Sequence, residues 1–413
     1  MASRIISSKK AVTKMQAILL VVIIVVVAVI GAVAYMLMQG PTGPIKIGVI
    51  TPLSAPADYL AGSLIRRTAE LFVEAQNKKG GVLGRPLELV VADQTLDAGT
   101  AISNLVRMVT NDKIVGLVGP WESGVALPMA EATRQYPTLM FCTYSWADNI
   151  TANKYPYVFR VGVANLLVSK GTIEWVKIAG YKNAACICEE SAYGLGMWEG
   201  MNKWRDELYP ELKLTLITTK PGKTDYTPEL MQISTMDPPP DLIIENENLP
   251  HANTMVKQLY EMGLTPKIQL MSSTPFPLWV PDSFWETCGE AGIGMINQDS
   301  QSPYVEFTSI GQDFSTLYEA DQGSKPPVWI AWYWDCLRIL VKAIEDTKST
   351  DINALKDYIE NIQIQGTTGF IKFENDPTPG SIMWHQWTGF KFYFFKFEAV
   401  GETTEHQIYP PVP

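Results

Sequence analysis

The chain has 413 residues, 46% of them hydrophobic, enough for two or three domains with sizeable cores. Its net charge is −10, and the basic residues before Pro44 (Arg4, Lys9, Lys10, Lys14) meet no acid there, so the remainder is more acidic still. An acidic body of this kind argues against a nucleic-acid partner, which needs clustered Lys and Arg, and its simplest consequence is solubility.

Residues 17–38 carry no charge. About 20 such residues span a bilayer as a helix. Basic residues on the N-terminal side alone put that end in the cytoplasm and the body outside. Residues 1–16 thus read as a cytoplasmic basic tail, 17–38 as a transmembrane anchor or uncleaved signal, and 39–44 as a stiff Gly-Pro linker. The competing reading is a cleaved signal peptide, with Ala32-Val33-Ala34 as the cleavage site. No cysteine near the run offers a site for lipid attachment.

From Ile45 the pattern alternates. Residues 45–51 read as a strand, and 62–79 as a helix with Ile65, Ala69, Phe72 and Gln76 at helical spacing. Residues 87–92 form the next strand. Ala98, Ala101, Ile102, Leu105, Met108 and Val109 mark the next helix. The stretch 114–118 (I-V-G-L-V) is a short apolar strand, broken by Gly119-Pro120 and followed by a helix from Ser123. Such a strand-turn-helix leaves unpaired N–H groups that can seat an anion. A strand at 138–143 follows.

Residues 155–161 (Y-P-Y-V-F-R-V) read as a crossing, after which the alternation restarts. Helices fall at 166–179, 195–209, 227–234 and 251–262, and strands at 184–188, 212–218, 242–245 and 268–271. Strand and helix in alternation imply two similar units, each a parallel sheet covered by helices on both faces. Ligands of such folds bind outside the carboxyl ends of the strands. The last third holds helices at 306–321, 328–346 and 351–360 and an aromatic tail, 369–400, that reads as a strand pair around the 375–380 turn. The five cysteines contain no C-x-x-C, and they read as buried free thiols.

Motifs for chemistry are lacking. Gly194, Gly196 and Gly200 miss the spacing of a dinucleotide fingerprint. There is no G-x-S-x-G elbow, and His251, His385 and His406 are isolated. The expectation is no cofactor, no metal site and no enzyme activity.

Three stretches in order carry a resemblance. Residues 80–93 read G-G-V-L-G-R-P-L-E-L-V-V-A-D, residues 155–160 read Y-P-Y-V-F-R, and residues 190–194 read E-S-A-Y-G, with T-D-Y-T at 224–227. With I-K-I-G-V-I-T-P-L-S at 45–54, the chain resembles the substrate-binding proteins of branched-chain amino-acid ABC transporters, periplasmic binding proteins of type I. The resemblance implies an α/β fold of two doubly wound Rossmann-like lobes joined by a three-segment hinge, closing on a ligand. Lobe 1 would be 45–161 with 302–360, and lobe 2 would be 162–301 with 361–413.

It also implies a ligand site. Ser54 and Tyr59 follow the first strand. Ser123, at the helix start, would take the carboxylate of an amino acid; it is also an ordinary residue for that position. Thr143 and Ser145 follow the fourth strand. Tyr193 would close from lobe 2. The family often places an acid after the strand that ends at Met271, where this chain has Ser272-Ser273-Thr274. A buried ammonium needs a counter-charge, so Glu247, or Glu245 beside it, is expected to replace that acid. Trp121 and Trp146 make the expected pocket aromatic.

The implied function is extracytoplasmic capture of an amino acid, branched-chain or a related small polar or amide solute, for an ABC permease, by a protein held to the cell membrane through its N-terminal helix. The alternative is a ligand-sensing ectodomain or co-receptor for a membrane signalling partner.

Overall fold

The computed structural model describes residues 14–38, 43–274, 279–302, 304–402 and 406–411, without the side chains of 14–17 and 31–38. The basic tail before Lys14 and linker residues 39–42 lie outside the described residues. Residues up to Pro44 and the body from Ile45 form separate units.

The first unit is one helix, α1 (Lys14–Met38), 25 residues long. Each residue from 18 to 30 is exposed. Taken over the described side chains alone, no helix is long and apolar enough to cross a membrane.

The body is built on two sheets. In the first, strands β1 (Ile45–Thr51), β2 (Leu87–Asp93), β3 (Gly116–Val118), β4 (Leu139–Cys142) and β5 (Val158–Arg160) lie parallel in the order β2-β1-β3-β4-β5. In the second, β6 (Asn183–Glu189), β7 (Lys213–Thr219), β8 (Leu242–Asn246), β9 (Gln269–Ser272) and β10 (Ile296–Asp299) repeat that order as β7-β6-β8-β9-β10. A 2-1-3-4-5 order has a switch point between its first and third strands, where the loops diverge and leave a crevice. Each lobe therefore brings one ready-made crevice.

The helices follow from apolar spacing. Helix α2 (Tyr59–Lys78) buries Ala61, Ile65, Ala69 and Phe72 along one face. Phe72 meets Trp334 edge-on at 4.9 Å, tying α2 to a later helix of the same lobe, Ala331–Thr347. Gly62 lets the start of α2 press on the loop after β1: a Cβ there would lie 1.5 Å from the Pro52 carbonyl oxygen.

The tail departs from expectation. The segment 361–413 was expected whole in lobe 2. Instead β11 (Gln363–Gln365), β12 (Phe370–Asn375) and β13 (Trp384–Trp387) extend the first sheet, and only β14 (Tyr393–Lys396) and β15 (Gln407–Tyr409) join the second. The reason lies in the pairing. The β12–β13 hairpin forms around the expected turn and docks parallel to β5 through Gln386 and Arg160. Gln386 Oε1 accepts from Arg160 Nε at 2.6 Å, a buried bond that fixes the hairpin in lobe 1. The chain thus crosses between sheets after β5, after β10 and after β13. Residues 155–161 are accordingly not a bare crossing but end in the strand β5.

Candidate ligand-binding site

The carboxyl ends of β1, β3, β4, β6, β8 and β9 converge on a cavity with about 360 Å³ of atom-free space, partly open to solvent. Lobe 1 supplies Asp58, Trp121, Ser123, Tyr144 and Trp146. Lobe 2 supplies Tyr193, Glu247, Asn248, Leu249, Thr274 and Trp279. Both switch points feed it.

The loop after β3 is held from three sides. Gly119 turns it with φ +113°, where a Cβ would come within 2.7 Å of the Ile50 carbonyl oxygen. Gln94 Oε1 accepts the Trp121 N–H at 2.9 Å. Ser145 Oγ lies 2.6 Å from the Pro120 carbonyl oxygen, to which it donates, and 3.0 Å from that of Trp121. In return Ser123 Oγ accepts from the N–H groups of Trp146 and Ala147 at 2.9 and 3.1 Å. The loops after β3 and β4 are thus clasped, and beneath them Arg160 donates to the carbonyls of Ser145 and Ala147.

Of the residues expected at the site, Trp121, Ser123, Trp146, Tyr193 and Glu247 line the cavity. Ser54, Tyr59, Thr143 and Ser145 do not. Ser54 instead bonds Asp93 at 2.5 Å, closing its loop onto β2. Tyr59 is 45% exposed, on the outer side of α2. Its neighbour Asp58, the N-cap of α2, turns inward. Thr143 and Ser145 are fully buried, while Tyr144 and Trp146 line the cavity. The chain bends at Thr143 and Tyr144 just past β4, and the two hydroxyl residues turn into the protein while the two rings turn to the cavity. Helix α3 (Ala98–Arg107) follows β2; the helix after β3, α4 (Ser123–Ala132), begins at Ser123, and its N-cap is Glu122 rather than the serine.

Sequence reasoning missed Asp58, Leu249 and Trp279. Only Asp58 carried a signal, an Asp just before an apolar helical pattern.

Rings from the two lobes meet across the cavity. Trp121 and Tyr144 stack at 5.4 Å, and Trp279 sits edge-on to both, at 5.1 and 4.9 Å. Trp146 meets Tyr193 edge-on at 5.5 Å. Such edge-on and offset contacts suit the ring quadrupoles.

Carboxyl groups stand among these rings. Burial pushes Asp58 up to about 6, against the pull of the Ala61 N–H. It pushes Glu122 up to about 8, with repulsion from Asp58 and Glu189 adding. Glu247 is likewise raised to about 8 by burial, although Thr219 and Tyr226 donate to it. Glu245, fully buried behind Glu247, is raised for the same reason; it accepts from Ser272 and the Glu247 N–H. No Lys or Arg is among the described residues lining the cavity. Among the described residues no cluster of His, Cys, Asp and Glu could hold a metal ion, and all five cysteines are buried thiols.

A family model described as periplasmic binding protein matches residues 44–389. The chain belongs to the periplasmic binding protein family. It is 23% identical over 361 residues to Leu/Ile/Val-binding protein homolog 7 of Brucella abortus, covering 83% of this chain and 89% of that protein. It is 31% identical over 155 residues to Leu/Ile/Val-binding protein BraC3 of Rhizobium johnstonii, an alignment spanning 37% of this chain and 41% of that protein. The fold matches the leucine-binding protein LivK of Thermotoga maritima with TM-score 0.75 at 20% identity, covering 89% of this chain and 99% of that one. It also matches a solute-binding protein of R. palustris in complex with benzoate, with TM-score 0.74 at 21% identity, covering 88% and 96%. The relatives and structural neighbours named here are amino-acid- or solute-binding proteins.

Proposed function

We propose that the protein is the extracytoplasmic solute-binding component of an ABC importer. It captures a small solute, an amino acid or a related polar or amide compound, between its lobes and delivers it to a permease. One observation carries the reading: the cavity is lined by both lobes, at the carboxyl ends of the strands flanking both switch points. A ligand touching both lobes favours the closed arrangement by its extra contacts. In this reading Trp121, Ser123, Tyr193 and Glu247 contact the solute, and Asp58, Tyr144, Trp146 and Trp279 join them. Ser145 and Arg160 position the loops.

The N-terminal helix anchors the protein, with the tail in the cytoplasm and the body outside. The uncharged run of residues 17–38 lies within the 25-residue helix α1, about 37 Å long at 1.5 Å per residue, against a hydrocarbon core of about 30 Å. Lobe 1 is 45–161 with about 304–388, and lobe 2 is the remainder of the body.

Thermal unfolding of the full chain with amino acids, amines, amides and benzoate tests the reading. A true ligand at about 100 times its Kd adds roughly 2.7 kcal/mol of stability. No stabilisation by any solute, or turnover of one that binds, would defeat it.

A further inference from the structure

We infer that the solute is an alkylammonium cation that needs no carboxylate of its own, its charged head held among the aromatic rings that line the cavity and the carboxyl groups of Asp58 and Glu247. This rests on the binding reading above and narrows it.

Two independent features point there. The first is a built acceptor. Asp58 is 4% exposed and lines the cavity, and its Oδ1 accepts the Ala61 N–H at 3.2 Å. Its Oδ2 is buried with no hydrogen-bond partner among the described residues. A buried carboxylate oxygen without a partner is costly, and a cation in the cavity would relieve it. Glu247 faces the same space from lobe 2, so a positive group would meet a carboxyl from each side.

The second is the wall. Five aromatic side chains line this cavity, and the faces of Trp and Tyr attract a cation without directional hydrogen bonds. An alkylated ammonium suits such a wall better than a primary one, which needs three acceptors for its three N–H groups. Trp146 and Trp279 also leave their indole N–H groups buried and unpartnered among the described residues. Those donors fit an oxygen on the same solute.

The seat for an anion is compromised. At the start of α4 stands Glu122, 7% exposed, whose carboxyl receives the Asp58 N–H at 3.5 Å. A ligand carboxylate at that helix end would face Asp58 and Glu122 together. No lysine or arginine among the lining residues offsets them.

The test is calorimetry on the full chain in detergent at pH 8. Choline is compared with its neutral isostere 3,3-dimethylbutan-1-ol, and tetramethylammonium with tert-butanol, alongside L-isoleucine and benzoate. The expected result is at least 30-fold tighter binding of a cation than of its isostere, and at least tenfold loss of that affinity in both Asp58→Asn and Glu247→Gln. Equal binding of cation and isostere, or tighter binding of isoleucine or benzoate than of either cation, overturns the inference and leaves the solute-binding reading standing. Binding of none of the six overturns it as well. Should one variant fail to fold, the isostere comparison on the unaltered chain still decides.

Discussion

Glu122→Gln should flatten the dependence of stability on pH. Glu122 sits at the start of α4, 7% exposed, against Asp58 and the Gln94 amide. Burial holds its carboxyl near 8 instead of the ordinary 4.5. The native protein therefore keeps a proton that the unfolded chain releases. Between pH 4.5 and 8 the native state binds more protons than the unfolded state, so stability falls as pH rises across that window. At about 1.4 kcal/mol per pH unit the displacement amounts to roughly 4–5 kcal/mol for an isolated group.

The neighbours lower that figure. Asp58 faces Glu122 directly, and Glu189 repels it from lobe 2. Groups titrating together share their protons, so about 2–4 kcal/mol is attributable to Glu122 alone. Urea unfolding at pH 5 and pH 9 gives the comparison. The unaltered chain should lose that much more stability over the interval than E122Q. At pH 5 the two should agree within about 1 kcal/mol, since an amide then replaces a protonated acid of the same shape. Parallel losses would mean that Glu122 is ionised and solvated in the native state, and the account of the acid cluster would be wrong.

Three further outcomes are expected. Gly62→Ala puts a Cβ 1.5 Å from backbone oxygen of Pro52 and should cost about 3 kcal/mol or more, read as the urea midpoint. Arg160→Met strands two buried carbonyls and Gln386, and should cost about 3–5 kcal/mol while weakening ligand binding through the loop after β4; a loss under about 1 kcal/mol would remove Arg160 from its supporting role. The full chain should stay with the membrane after alkaline carbonate extraction, with the body open to protease added outside intact cells. Recovery of an intact, uncleaved chain in the soluble fraction would count against the anchor.

Much of the architecture was legible because the α/β alternation is locally encoded. Strands β6 and β8 hold apolar runs at 184–188 and 242–244, β1 buries Ile45, Ile47 and Val49 at alternate positions, and α2 has a regular apolar stripe. The failures share one cause, dependence on distant partners. β5, β10 and β14 have three or four residues each, and unlike the equally short β3 and β9 they are marked by the distant strands they pair with rather than by their own sequence. The allotment of 363–387 to lobe 1 depends on Gln386 meeting Arg160, 226 residues apart. At the site, the loop after β4 was located but its parity was not: Thr143 and Ser145 face the core, Tyr144 and Trp146 the cavity. Hydroxyl residues attract attention as ligand contacts, yet here Ser123 and Ser145 clasp backbone. Trp279 gave no signal, because its partners Trp121 and Tyr144 belong to the other lobe.

The acid cluster follows from the topology itself. Each lobe has the same strand order, so each offers the loops of its first and third strands to one crevice. In lobe 1 those loops carry Asp58 and Glu122; in lobe 2 Glu189 is the last residue of β6, Glu247 follows β8, and Glu245 stands at the end of β8. Joining the lobes brings four loops and five carboxyl groups around one cavity. Two features keep the protein foldable with such a site. Protonation neutralises the acids that burial raises, and hydroxyl or amide donors (Thr219, Tyr226, Ser272, Gln94) occupy most of the remaining oxygens. The exception is Asp58 Oδ2. A cation reaching it would lower the proton affinity of Asp58 first, then of Glu122 beside it and of Glu247 across the cavity, which also faces Glu189, Glu229 and Glu245. Binding should then expel protons, and affinity for a cation should rise with pH between about 6 and 8. Titrations in two buffers of different ionisation enthalpy would count the protons released. A neutral or anionic solute would release none.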